Sequence, residues 1–184
     1  MTKQLSEMSL EELWQLFPIK LVPHDSRWKE QYTREVERIK SFLPAGAMAE
    51  ISHIGSTAIE SIYAKPIIDI LLEVLDDENK DEIGAILVKN GYTQMSTEKM
   101  SFNMGYTPNG FSKEVFHLHL RSKGDNDEIY FRNYLNIHSD TAKEYEALKL
   151  VLWKQYEYDR NKYTKEKSDF VQRIVEKAKK DTSL

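Results

Sequence analysis

The stretch His53–Val74, HIGSTAIESIYAKPIIDILLEV, decides how the chain is read. Ala49 to Ile54 has the makings of a short strand, and Pro66 to Val74 those of a longer, largely buried one. Between them lies a small-residue turn, Gly55-Ser56-Thr57. Backbone N–H groups at the start of a helical turn, two hydroxyls and a glycine that permits close approach suit phosphate oxygens. No Gly-Lys-Ser/Thr follows at the spacing of a P-loop, so taken alone the turn reads first as a plain strand-to-helix connection.

Asp69 tips the balance. An ionised carboxylate inside an apolar strand is costly unless it is paired, hydrogen-bonded or bound to metal. Period two puts Asp69, Leu71 and Glu73 on one face, with Asp69 and Glu73 roughly 13 Å apart, too far to share one ion directly. The plainer alternative pairs Asp69 with Lys65 or an arginine and leaves Glu73 at the solvated end of the strand.

Upstream, Ser9-Leu10-Glu11-Glu12 has the form of a capping box, and Leu10, Leu13, Trp14 and Phe17 recur at helical spacing up to Pro18. A second helix, capped by Asp25, carries the apolar stripe Trp28, Tyr32, Val36, Ile39 and Leu43. Downstream, Glu78 to Asn90 reads as a helix that Gly91 ends in a left-handed conformation. Two antiparallel strands follow around the turn Pro108-Asn109-Gly110, the second over Glu114 to Arg121. After the polar loop Ser122 to Asp127, three helical patterns close the chain, with Ser139 and Thr164 as N-caps of the last two.

At 184 residues, 40% hydrophobic and 30% charged, the composition is that of a globular protein with one sizeable core. A net charge of −4 gives no whole-chain attraction to nucleic acid or anionic membrane, so neither is expected as a partner. The absence of cysteine excludes disulfides, thiolate nucleophiles and Cys-based zinc sites. No apolar run approaches the roughly 20 residues of a membrane span, and the N-terminus lacks the apolar core of a signal peptide; a cytoplasmic location is the expectation.

The quoted stretch resembles the signature of the GrpB family. The likeness continues in Phe116-His117-Leu118-His119-Leu120, Phe131-Arg132-Asn133-Tyr134-Leu135 and Glu144-Tyr145-Glu146-Ala147-Leu148-Lys149, and in Asp159-Arg160 and Tyr163-Thr164. It runs from about Pro18 to Ala178, so residues 1–17 read as a helical extension and 18–184 as a single domain. The resemblance implies an α+β fold of nucleotidyltransferase type: a mixed sheet flanked by helices, with the sheet core at about 47–121 and a helical C-terminal part at about 127–180. Similar domains occur fused to dephospho-coenzyme A kinases, which by analogy alone implies a partner in coenzyme A biosynthesis.

Enzymes of that superfamily place a Gly-Ser turn before a strand bearing Asp-x-Asp or Asp-x-Glu, and a further strand supplies a third acid. Gly55-Ser56 and Asp69 match the turn and the first acid, but Leu71 stands at the second, and the candidate third strand offers His117 and His119. Two-metal transfer needs shared carboxylates around ions roughly 3.5–4 Å apart, and leucine coordinates nothing. One divalent ion, Mg or Mn, on Asp69 and substrate phosphates remains compatible with these residues. His117-x-His119 with Asp69 could instead hold Zn, or serve as general acid and base, or simply as hydrogen-bonded sheet histidines.

Among the cations, Lys65, Arg121, Lys123, Arg132 and Lys149 are best placed to reach a phosphate, with Lys65 and Arg132 the foremost candidates. The leading expectation is therefore a protein binding a nucleotide or phosphorylated metabolite. Gly55, Ser56 and Thr57 would cradle the phosphate, Asp69 would hold a divalent metal, and Lys65 and Arg132 would neutralise charge. Nucleotidyl transfer is the associated activity. The rivals are a metal-dependent hydrolase or phosphoesterase centred on Asp69, His117 and His119, and a non-catalytic regulatory module.

Overall fold

Two short helices precede the sheet. The first, α1 (Leu10–Leu16), starts at the expected capping box: Ser9 Oγ accepts from Glu12 N at 3.2 Å, and Glu12 Oε2 accepts from Ser9 N at 2.6 Å. The computed structural model describes residues 3–181. In α2 (Arg27–Phe42), Asp25 accepts from Arg27 N at 2.9 Å, and the expected stripe faces inward, with Trp28, Val36 and Ile39 buried.

Five strands form one mixed sheet: β1 (Met48–Ile54), β2 (Ile68–Val74), β3 (Thr93–Ser96), β4 (Ser101–Thr107) and β5 (Gly110–Ser122), in the order β1-β2-β5-β4-β3. The β2–β5 pair is parallel and the others antiparallel. α3 (Lys80–Lys89) joins β2 to β3 and ends at Gly91, whose φ is +94° as anticipated. Where two strands were expected after Gly91, there are three, because the short edge strand β3 pairs with β4.

The architecture is thus the expected α+β arrangement, a mixed sheet flanked by helices with a helical C-terminal part comprising α4 (Asp127–Ile137), α5 (Ser139–Tyr156) and α6 (Arg160–Ala178). One correction concerns α6. Its N-cap is Asp159, whose side chain accepts from Lys162 N at 3.0 Å, and Thr164 lies inside the helix. A carboxylate that bonds a free N–H at a helix start wins over a threonine further in.

Period two splits the sheet into unlike faces. Ile68, Ile70, Leu72, Val74, Phe116, Leu118, Leu120 and Phe102 pack with Trp28, Ile39, Ile83 and Leu87 into the main core. The parallel register sets Asp69 beside His117 and Leu71 beside His119 on the opposite face, and Asn103 of β4 pairs with His117. That second face is the floor of a cleft of about 1820 Å³, partly walled by α1, α5 and α6.

Candidate functional site

The turn after β1 is built around Asp69. Gly55 has φ +70°, and a Cβ there would lie 2.8 Å from the Asp69 carboxyl carbon. This position therefore demands glycine twice, for the positive φ and for the side chain resting against it. Ser56 and Gly55 line the cleft, whereas Thr57 is buried and committed elsewhere. Its hydroxyl donates to the Ile67 carbonyl at 3.2 Å and so accepts from His53 Nε2–H at 3.0 Å. His53 stacks on Tyr32 with ring centroids 4.8 Å apart, and its burial pushes the imidazole down to about 4. Thr57 and His53 hold the turn in place rather than face a ligand.

Asp69 Oδ1 lies 3.3 Å from His117 Nδ1 and 3.9 Å from His119 Nε2. Burial opposes its charge, but the two neighbouring imidazoles outweigh that and hold the carboxyl well below the usual range. His117 Nε2 lies 2.7 Å from the Tyr106 hydroxyl, which receives both terminal nitrogens of Arg160 at 3.1 Å. A guanidinium only donates, so the Tyr106 proton goes to His117 Nε2. The His117 proton then sits on Nδ1, the nitrogen 3.3 Å from Asp69 Oδ1. Burial pushes the Tyr106 phenol up against the pull of Arg160, and burial pushes His117 down.

Tyr106 reaches this position through a bulge. The β4–β5 register shifts between Met104 and Tyr106, at Gly105 with φ +93°. Plain alternation would put Tyr106 on the core face of Met104; past the irregularity, where four residues of β5 (112–115) stand opposite Gly105 alone, the ring instead joins Phe17 and Phe111, centroids 4.8 and 5.2 Å away.

Four cations gather across the cleft from Asp69. Lys65 Nζ and Lys167 Nζ lie 5.6 and 4.4 Å from the centre of the Tyr163 ring. Lys149, 1% exposed, donates to the Tyr63 carbonyl and stands 4.7 Å from the Tyr145 ring centre. Arg160 completes the group. Burial together with the neighbouring cations Lys167, Arg160 and Lys149 pushes Lys65 down to about 7, with Asp69 pulling the other way. Burial and Lys167 bring Lys149 to about 7 as well. None of the four forms an ion pair among the described residues.

Of the expected residues, the structure thus brings together Gly55, Ser56, Lys65, Asp69, His117, His119 and Lys149. Arg132 is elsewhere: its guanidinium donates to the His53 carbonyl at 2.7 Å and to Asn133 Oδ1, tying α4 to the edge strand β1. Arg121 bonds the Lys99 and Leu120 carbonyls, and Lys123 is exposed on the loop after β5. Glu73, expected in solvent, is 2% exposed, because the loop after β5 folds back and Gly124 N donates to its Oε1 at 2.7 Å. Sequence reasoning missed Tyr106, Asn103, Arg160 and Lys167. Arg160 stood within a motif already quoted, in a pattern read only as resemblance.

The donor set limits what metal the site could hold. Leu71 is fully buried and offers no ligand, and the His117 Nδ1 lone pair is taken up by a proton. Among the described residues no group of three His, Asp or Glu is arranged to hold an ion. The residues fit a hard cation shared between Asp69 and a ligand's own phosphate oxygens, and do not fit an ion pair caged by carboxylates or a zinc held by both histidines.

A family model described as GrpB protein matches residues 18–177. The chain is 31% identical to the UPF0157 protein YqkA of Bacillus subtilis over 97% of its own length, and it spans about half (53%) of that relative. The crystal structure of conserved protein GrpB from Enterococcus faecalis superposes with a TM-score of 0.74 at 26% identity, covering 86% of this chain and 96% of that one. A segment of 81 residues, 42% of the chain, is 36% identical to 20% of a dephospho-CoA kinase of Mycobacterium tuberculosis.

Proposed function

The chain belongs to the GrpB family, and we propose that its cleft binds a nucleotide or another phosphorylated small molecule. The observation that carries this reading is the gathering of Lys65, Lys149, Arg160 and Lys167, none of which forms an ion pair among the described residues. Two of these side chains have their charge disfavoured by burial and by one another. Unpaired buried charge of one sign costs folding free energy, and a bound polyanion offsets that cost.

In this reading the Gly55-Ser56 turn receives one phosphate edge, while Lys65, Lys149, Arg160 and Lys167 neutralise it. Asp69 would hold a divalent ion such as Mg or Mn beside the phosphate. The ion supplies charge neutralisation and Lewis acidity when bound. His117, its proton on Nδ1, keeps the carboxylate ionised and fixed. Two-metal nucleotidyl transfer is not included, because Leu71 replaces the second acid. The likeness to part of a dephospho-CoA kinase adds phosphorylated coenzyme A precursors to the ligands worth trying.

Among the described residues no helix is long and apolar enough to cross a membrane. The test is a calorimetric titration with ATP and with inorganic pyrophosphate, with and without Mg. Binding that is lost in Arg160→Met supports the reading. Absence of binding by either compound to the unaltered protein overturns it.

A further inference from the structure

The cleft has more room than a phosphate group requires; beyond the cations its wall carries polar residues, Asp127, Glu128 and Glu176 among them, and also an apolar stretch on α1. At about 1820 Å³ it exceeds the roughly 300–1,000 Å³ of ordinary small-molecule pockets. Away from the cations, Leu10, Leu13 and Trp14 of α1 line it on one rim, and Met95 of β3 on the other. These α1 positions follow one another at helical spacing, yet no residue of α1 is buried. Leu10 is 52% and Met95 60% exposed, so apolar surface on both rims faces open space instead of the core.

The two ends of the cleft are physically joined by Tyr106. Its hydroxyl belongs to the Arg160–His117 chain, and its ring packs against Phe17, the residue that ends α1, and against Phe111. Arg160 itself lies 5.5 Å over the Tyr106 ring. A molecule anchored at the cations therefore meets an aromatic and aliphatic surface directly beside its charged group. The family match begins at residue 18, so α1 is an element that the matched region does not contain.

We infer that the ligand is amphipathic, a phosphate ester whose apolar body lies along α1, and that Leu13 and Trp14 determine selectivity for that body. This rests on the phosphate-binding reading above and goes further by assigning the class of the esterified group. Continuity of the apolar wall with the cation cluster within one cleft commits the occupant to the ligand's own body rather than a separate partner chain.

The test is calorimetry with inorganic phosphate, methyl phosphate, butyl phosphate and octyl phosphate, all below micellar concentrations, with octanol as control. Affinity should climb along the series, by about tenfold for every two methylenes that become buried. The Leu13→Ser/Trp14→Ser protein should flatten the series to the methyl phosphate value. Independently of any variant, the Trp14 indole N–H resonance should shift with octyl phosphate and stay in place with inorganic phosphate. A flat series in the unaltered protein, an unmoved Trp14 signal, or octanol binding as tightly as octyl phosphate overturns the inference. If none of the phosphates binds, inorganic phosphate included, the phosphate reading falls with it; a flat series above a measurable phosphate affinity removes the amphipathic ligand alone.

Discussion

The two faces of the sheet are made by alternate residues of the same strands and have opposite characters. Toward α2 and α3, Ile70, Leu72, Phe102 and Leu118 are fully buried in a dry core. Toward α5 and α6, Asp69, His117, His119 and Asn103 line an open cleft with four cations that form no ion pair among the described residues. The first face lowers the free energy of folding; the second spends part of that stability holding like charges together. Only the second face calls for a ligand to explain it, and the contrast can be broken or sharpened from either side.

The largest effect belongs to the dry face. Leu72→Ala should cost about 2–5 kcal/mol, read as a lower denaturation midpoint, because it opens a cavity in close-packed surroundings. Folded protein that survives the change should bind phosphate compounds as before. Gly55→Ala should strike both faces. It forces a side chain into a left-handed backbone and against Asp69, costing about 1–3 kcal/mol in strain alone. It should also displace Asp69 from His117, visible as an altered His117 imidazole resonance.

Lys149→Met should behave in the opposite sense to a core mutation. It leaves the Tyr63 carbonyl without its donor but removes a charge that burial disfavours, so stability should stay within about 1 kcal/mol of the parent. Anion affinity should nevertheless drop at least tenfold, about the loss of one charge-assisted contact. A large destabilisation with unchanged affinity would make Lys149 a core residue and nothing more.

The most diagnostic effect is on pH. Lys65 and Lys149 lie near 7 in the folded protein, below the ordinary 10.5. Between those values the unfolded chain binds more protons than the folded one, so the unliganded protein should gain stability as pH rises from 7 toward 10. A bound anion needs the ammonium forms, so its affinity should fall over the same interval. Thermal unfolding at pH 7 and 9, with and without pyrophosphate, shows whether the two trends oppose each other.

Much of this contrast was legible in the chain. The alternation from Ile68 to Val74 separates core from cleft, and the small-residue turn beside Asp69 marks where the cleft lies. Period two also places His117 and His119 with Asp69 once β2 and β5 pair in parallel. Tyr106 was not legible, since a bulge at Gly105 reverses the face that plain alternation assigns to it. Arg160 and Lys167 lie about a hundred residues beyond the turn, and their place in the site depends on where α6 begins, which Asp159 sets rather than Thr164. Arg132 and Glu73 were misplaced for a common reason. Each satisfies backbone groups that become orphans only after folding, the free edge of β1 in one case and the loop after β5 in the other.

The central claim is that the unpaired cations exist to hold an anion. It is tested most directly by titrating the protein with inorganic pyrophosphate in a calorimeter at pH 7 and pH 9, alongside Lys149→Met. The account predicts saturable binding at pH 7, weaker by roughly tenfold per pH unit for each lysine that must be charged, and nearly absent in the variant despite its intact fold. No binding at pH 7, or an affinity indifferent to both pH and Lys149, would contradict it.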